Sequence, residues 1–155
     1  MFDFFDKDKV PEKKKKEGEK DGLILGYDTI VKESGLLTTT GGILFGFLLD
    51  ISINPPESFS FINRITLLVA LYSITIAISL FVMPVIYHHV QYPYRDLEKF
   101  KERSHRFMMF GLIPAGVTLY LALEIALSFT VSREVAFGLA AIPFLLVYVI
   151  FINRK

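Results

Sequence analysis

The sequence predicts an all-α integral membrane protein. It should be a four-helix bundle of two antiparallel transmembrane hairpins, with its N- and C-termini cytoplasmic. Three observations predict this. Apolar residues make up 52% of the 155-residue chain, and they fall in four long blocks almost free of charge. Block length separates a membrane span from a buried soluble helix. The blocks also lack the dyad alternation of a membrane barrel strand, and backbone groups in lipid must be bonded within the segment, so each block is read as a helix. Finally, Lys and Arg gather on alternate connections, which sets the orientation.

Residues 1–22 are charged and, after Phe5, poor in apolar content, with the run Lys13–Lys16 flanked by Glu12, Glu17 and Glu19. Such a segment buries too little surface to offset the entropy of ordering, which predicts a disordered cytoplasmic tail. The acidic start, Met1 to Asp8, lacks the basic region and apolar core of a cleavable signal peptide, so the first span is expected to act as an uncleaved anchor. Residues 23–33 read as an interfacial segment. On a helix, Tyr27, Ile30 and Val31 fall on one side, with Asp28, Lys32 and Glu33 on the other.

The membrane domain covers residues 34–155. Span one is 34–53, with Asp50 as its one charge, and Asn54-Pro55-Pro56 ends it because proline removes a donor and disfavours helix before it. Span two, 65–87, has no charge; span three, 107–129, has Glu124; span four, 135–153, has none. At a rise of about 1.5 Å per residue each reaches roughly 28 Å or more, enough for the hydrocarbon core. Pro84, Pro114 and Pro143 are expected kinks, which membrane helices tolerate. Between spans two and three, Pro93 and the pairs Glu98–Lys101 and Glu102–Arg106 predict a helix from about Arg95 into span three.

Lys14, Lys15, Lys16, Lys20 and Lys32 precede span one. Arg95, Lys99, Lys101, Arg103 and Arg106 lie between spans two and three, and Arg154 and Lys155 follow span four. The opposite side holds Arg64 and Arg133. The imbalance places both termini inside a plasma membrane.

Asp50 and Glu124 are the acids within the spans, both close to the outer end and near helix C-termini, where the dipole disfavours an anion. They need partners, and Arg64 and Arg133 are the candidates. The group reads either as a proton or cation site or as interfacial ion pairs that hold the bundle; the shallow depth favours the second. Thr38, Gly42 and Gly46 are spaced by four, and glycine lets helix backbones approach closely in lipid. Packing within the same bundle is the simpler use of that face, with a dimer interface as the alternative. Thr38, Thr39 and Thr40 can bond across helices or back to their own carbonyls.

His88, His89, His105 and Arg106 lie at the inner interface. Glu102 and His105 have the spacing of carboxylate-bridged metal sites, but such sites need two pairs and further carboxylates inside the bundle. Polar residues at headgroup level are the simpler reading, and no metal or cofactor is expected. With no cysteine, thiolate chemistry and disulfides are excluded. No phosphate loop, dinucleotide fingerprint, zinc-protease helix or serine triad occurs, so no enzyme is expected. A net charge of +1 and the lack of an aromatic-and-basic platform argue against nucleic acid.

Three stretches carry a resemblance. They are Thr39 to Leu49 (TTGGILFGFLL), Pro84 to His88 (PVIYH), and His105-Arg106 with Gly111 after it. In this order they resemble a prokaryotic family of small four-helix membrane proteins known as a domain of unknown function, over residues of about 30–150. The resemblance implies four membrane helices and marks His88, His105 and Arg106 as family features. The chain departs from the family's pattern at Gly42, where glutamine is common, and at His89, where arginine is common. Some members carry a sodium–proton antiporter label. Secondary transporters use repeats and broken helices around a midplane site, and four short spans without a midplane charge lack these.

The function expected is therefore that of a non-catalytic membrane protein, in contact with the lipid bilayer and either a homo-oligomer or an accessory subunit beside other membrane subunits. The alternative is a proton or cation pathway through an oligomer, using Asp50 and Glu124.

Overall fold

The computed structural model describes residues 12–91 and 97–154. It is all-α, with α1 (Glu12–Ile53), α2 (Phe61–Gln91), α3 (Leu97–Ser128) and α4 (Arg133–Ile152). Each is long and apolar enough to cross a membrane, over Asp28–Ile53, Phe61–Val90, Glu98–Ser128 and Arg133–Ile152.

Helix α1 begins at Glu12, so helix covers residues 12–22, where the composition predicts disorder, and continues unbroken through 23–33. Lys and Glu are good helix formers, and a helix nucleated by a span propagates at low cost. Lys32 and Asp28 form an exposed pair at 2.8 Å. Residues 1–11 lie outside the described residues, as do Pro93 and Arg95. Helices α2, α3 and α4 run through Pro84, Pro114 and Pro143.

Packing follows a seven-residue repeat that the block reading did not register. On α2 the buried residues are Asn63, Leu67, Ala70, Ile74, Ala77, Phe81 and Pro84, in alternating steps of four and three. On α1 they are Ile30, Ser34, Gly41 and Leu48, with Leu37, Leu44 and Ile51 half-buried along the same line. On α3 they include Ser104, Gly111, Thr118 and Ile125. A 3.5-residue spacing keeps one seam facing its partner along the whole helix. The seam is rich in small residues, so the backbones come close. A Cβ on Gly111 would lie 2.6 Å from Phe81 Cε1, and one on Gly41 would lie 2.9 Å from Ile78 Cγ1. In lipid, where apolar burial drives nothing, such contact and interhelical hydrogen bonds hold helices together. The Ser34 hydroxyl donates to the Phe81 carbonyl. The Thr118 hydroxyl reaches the Ala70 carbonyl at 3.3 Å and its own Pro114 carbonyl at 2.9 Å.

These contacts fix the register. Ser34 and Gly41 on α1 meet Phe81 and Ile78 on α2. Tyr87, Phe81 and Ala70 on α2 meet Phe100, Gly111 and Thr118 on α3.

The arrangement departs from a four-helix bundle. Helices α1, α2 and α3 contact one another, while α4 contacts α3 alone among the described elements. Its buried residues are Ala136 and Ala140. Beyond Pro143 every described residue of α4 is exposed, from Phe144 onward. A small-residue seam two alanines long holds one neighbour, and a helix apolar all round needs no second one in lipid.

Candidate functional site

The turn between α3 and α4 builds the most unusual polar site. Its chain reversal is tied by the amides of Thr130 and Val131 to the Leu127 carbonyl, at 2.9 and 3.0 Å. The Ala136 amide then bonds the Ser132 carbonyl at 2.8 Å, opening α4. Phe129 stacks on Phe59 with ring centroids 6.0 Å apart, pinning the turn to the connection before α2. Arg133 is thereby set as the first residue of α4, facing the last turns of α3.

Glu124 sits there with 0% of its surface exposed. Ile125 beside it belongs to the apolar core, and Leu121 and Ala122 pack against that core. Arg133 Nε approaches Glu124 Oε1 at 3.6 Å, with the Arg133 side chain 32% exposed. That is an ion pair without a hydrogen bond, and neither carboxylate oxygen has a hydrogen-bond partner. Removing a carboxylate from water costs several kcal/mol or more even in a relaxed protein, and a cation held off at this distance offsets only part of it.

Asp50 stands in different surroundings. It is exposed, and its Oδ1 accepts from Asn54 Nδ2 at 3.1 Å. Among the described residues no ion pair joins Asp50 to either candidate cation, Arg64 or Arg133. Asp50 is two residues past the buried Leu48, about 200° around the helix, and so leaves the seam. Arg64 is exposed and lines a recess of about 190 Å³ with Pro55, Phe59 and Leu67.

Gly42 and Gly46 also lie outside the seam. Both are exposed, and a Cβ on either would meet nothing within 4 Å. The expectation that they pack within the chain is overturned: Gly41, one residue earlier, takes that place. Thr38 is half-buried, and the Thr39 hydroxyl bonds back to the Gly35 carbonyl at 2.9 Å. Ile43, Gly46, Phe47 and Asp50 together border an open groove on the outward side of α1.

At the opposite end, the His88 and His89 rings meet edge to face at 5.2 Å, and His89 Nδ1 donates to the Val85 carbonyl at 2.9 Å. His105 is exposed, and Arg106 pairs with Glu102 at 2.5 Å on the surface. Sequence reasoning missed a tie between α2 and α3 here. Arg103 donates to the Tyr87 hydroxyl at 2.8 Å, and Tyr87 stacks on Phe100 at 5.5 Å. Among the described residues no group of three or more His, Cys, Asp or Glu side chains gathers in a way that could hold a metal ion.

A family model described as "Family of unknown function (DUF6328)" matches residues 26–153. No curated protein and no solved structure matches the chain.

Proposed function

The chain belongs to the family of unknown function DUF6328, and from that premise we propose that it is a non-catalytic integral membrane subunit. It crosses a prokaryotic plasma membrane four times as two antiparallel hairpins, with both termini cytoplasmic. Its outward α1 face docks on another transmembrane surface, either a second copy or a different subunit.

The observation that carries this reading is the exposure of Gly42, Gly46 and Asp50 on that face. A glycine facing lipid gains no packing, and an acid facing lipid is costly. A second protein surface answers both. The orientation rests on the Lys and Arg imbalance between the two sides.

Association is tested by extracting the protein from its native membrane in mild detergent and weighing the intact particle. A particle heavier than one chain is expected, reduced to one chain by Gly46→Ile. A single chain in the unaltered particle sinks the reading. Orientation is tested separately. The chain has no cysteine, so Ser132→Cys and Ser58→Cys each give one thiol, expected to react with an impermeant reagent added outside intact cells. Labelling only after lysis would invert the topology.

A second reading, a proton or cation pathway through an oligomer using Asp50 and Glu124, is favoured by the full burial of Glu124. The exposure of Asp50 gives it no such support.

A further inference from the structure

We propose that the recess between the end of α1 and the start of α2 binds one anionic phospholipid, with the phosphate on Arg64 and an acyl chain along Leu68 and Leu71. This binding rests on the reading that the chain spans a membrane. It requires neither association nor a particular orientation.

The recess is polar at one end and apolar along its length. It encloses about 190 Å³. Arg64 and Ser52 are its polar lining, and Phe59, Leu67, Leu68 and Leu71 supply apolar walls. Phe59 and Leu67 are buried, Leu71 is half-buried and Leu68 is exposed. The Phe59 ring stacks on Phe129, with centroids 6.0 Å apart, which fixes that wall. Ser52 is the last residue but one of α1, and Arg64 lies in the first turn of α2. Leu71 is seven residues further along α2, roughly 10 Å deeper at 1.5 Å per residue. The recess therefore starts where two spans end, at the level of lipid headgroups, and runs into the depth of the acyl chains.

Arg64 carries a charge that this end of the chain leaves unanswered. Among the described residues no ion pair joins it to an acid. Asp50 is taken by Asn54, and the exposed Glu57 forms no ion pair among the described residues. Arg133, the other basic residue at this end, faces Glu124. Arginine suits a phosphate, because its planar fork of donors matches two phosphate oxygens and is weakly hydrated.

Size and charge together select the occupant. A free phosphate covers none of the apolar walls. A transmembrane helix, about 10 Å across, is too wide to enter. A zwitterionic headgroup brings its own cation beside the phosphate, and that cation competes with Arg64. An anionic phospholipid offers an uncompensated phosphate to Arg64, an oxygen to the Ser52 hydroxyl and a chain to the leucines.

The test uses fluorescence quenching in vesicles. The chain has no tryptophan, so Tyr72→Trp installs a single fluorophore. Tyr72 is exposed and lies one turn beyond Leu68 on the same side of α2. Leu145→Trp, on the exposed part of α4, is the control away from the recess. Each full-length variant is placed in vesicles of phosphatidylcholine and phosphatidylglycerol, with one or the other brominated in its chains. At Tyr72→Trp the anionic lipid is expected to bind roughly fivefold more strongly, the factor that one basic side chain near the surface gives. At Leu145→Trp the two lipids are expected to quench alike. Adding Arg64→Gln to Tyr72→Trp should bring the preference down to the control. Salt raised from about 0.01 M to about 1 M, which shortens the screening length roughly tenfold, should lower it too.

Equal quenching by the two lipids at Tyr72→Trp overturns the proposal, as does a preference that survives Arg64→Gln. Emission at Tyr72→Trp that neither lipid quenches also overturns it, because protein then covers the recess. Should Arg64→Gln not fold, the salt series decides, and a preference unmoved by salt overturns the proposal. Failure of both lipids to quench Leu145→Trp removes the membrane reading itself, and the lipid site with it. Loss of the site alone leaves that control quenched, so the two failures are distinguishable.

Discussion

Two faces of α1 carry the same kind of residue and meet opposite surroundings. On the inward face, Ser34, Gly41 and Leu48 are buried against α2, and Gly41 is close enough to Ile78 that a Cβ would crowd it. On the outward face, Gly42, Gly46 and Asp50 are exposed, and the glycines have open space before them. The two acids repeat the contrast: Glu124 is fully buried beside an arginine, and Asp50 is exposed beside an asparagine. Small residues at helical spacing show that a close approach is possible. What the chain itself provides to approach depends on which residues continue the seam.

The contrast can be broken or sharpened by substitution, beginning with the largest expected effect on the fold. Arg133→Ala strips the buried Glu124 of its cation. The expected loss is about 2–3 kcal/mol, below the usual cost of breaking a buried pair because the Arg133 side chain is partly exposed. Adding Glu124→Gln should recover most of it, as a double-mutant cycle in a detergent unfolding titration would read. Gly111→Ala comes next. Its Cβ would sit 2.6 Å from the buried Phe81 ring and 3.2 Å from Leu80 Cβ. Overpacking of that kind costs about 1–3 kcal/mol in the same titration. Gly41→Ala presses on Ile78 Cγ1, a side-chain atom that can turn aside, so a loss of about 1 kcal/mol or less is expected. Smallest of all on the fold are Gly42→Ala and Gly46→Ala, within roughly 0.5 kcal/mol by unfolding. Any large loss at these two would mean that the outward face packs within the chain after all.

Much of the fold was legible in the sequence, because hydropathy blocks, prolines and charge runs act locally. Four helices and the break at Asn54-Pro55-Pro56 follow from such signals, and they also brought Arg133 forward as one of two candidate partners for the span acids, of which it takes Glu124. The choice between Gly41 and Gly42 did not. The pair spaced by four, Gly42 and Gly46, is the familiar motif, yet the seam follows Ser34, Gly41 and Leu48 at spacings of seven. That repeat recurs on α2 and α3, and matching it across helices was the signal available. The place of α4 was less legible, since Ala136 and Ala140 look like any small residues until α3 is seen to be their single partner. That Asp50 takes neither candidate cation has the same origin, because closeness to a span end says nothing about which way around the helix a side chain points.

The central claim is that the outward face of α1 is covered in the membrane by another protein surface. The mass of the intact particle, extracted from native membrane in mild detergent, tests it most directly. The account predicts a particle exceeding the 17.7 kDa of one chain by at least one further protein subunit, and a shift to the single chain in Gly46→Ile, with dissociation raised roughly tenfold or more, about 1.4 kcal/mol. An unaltered protein that comes out of its native membrane as one chain alone would contradict it.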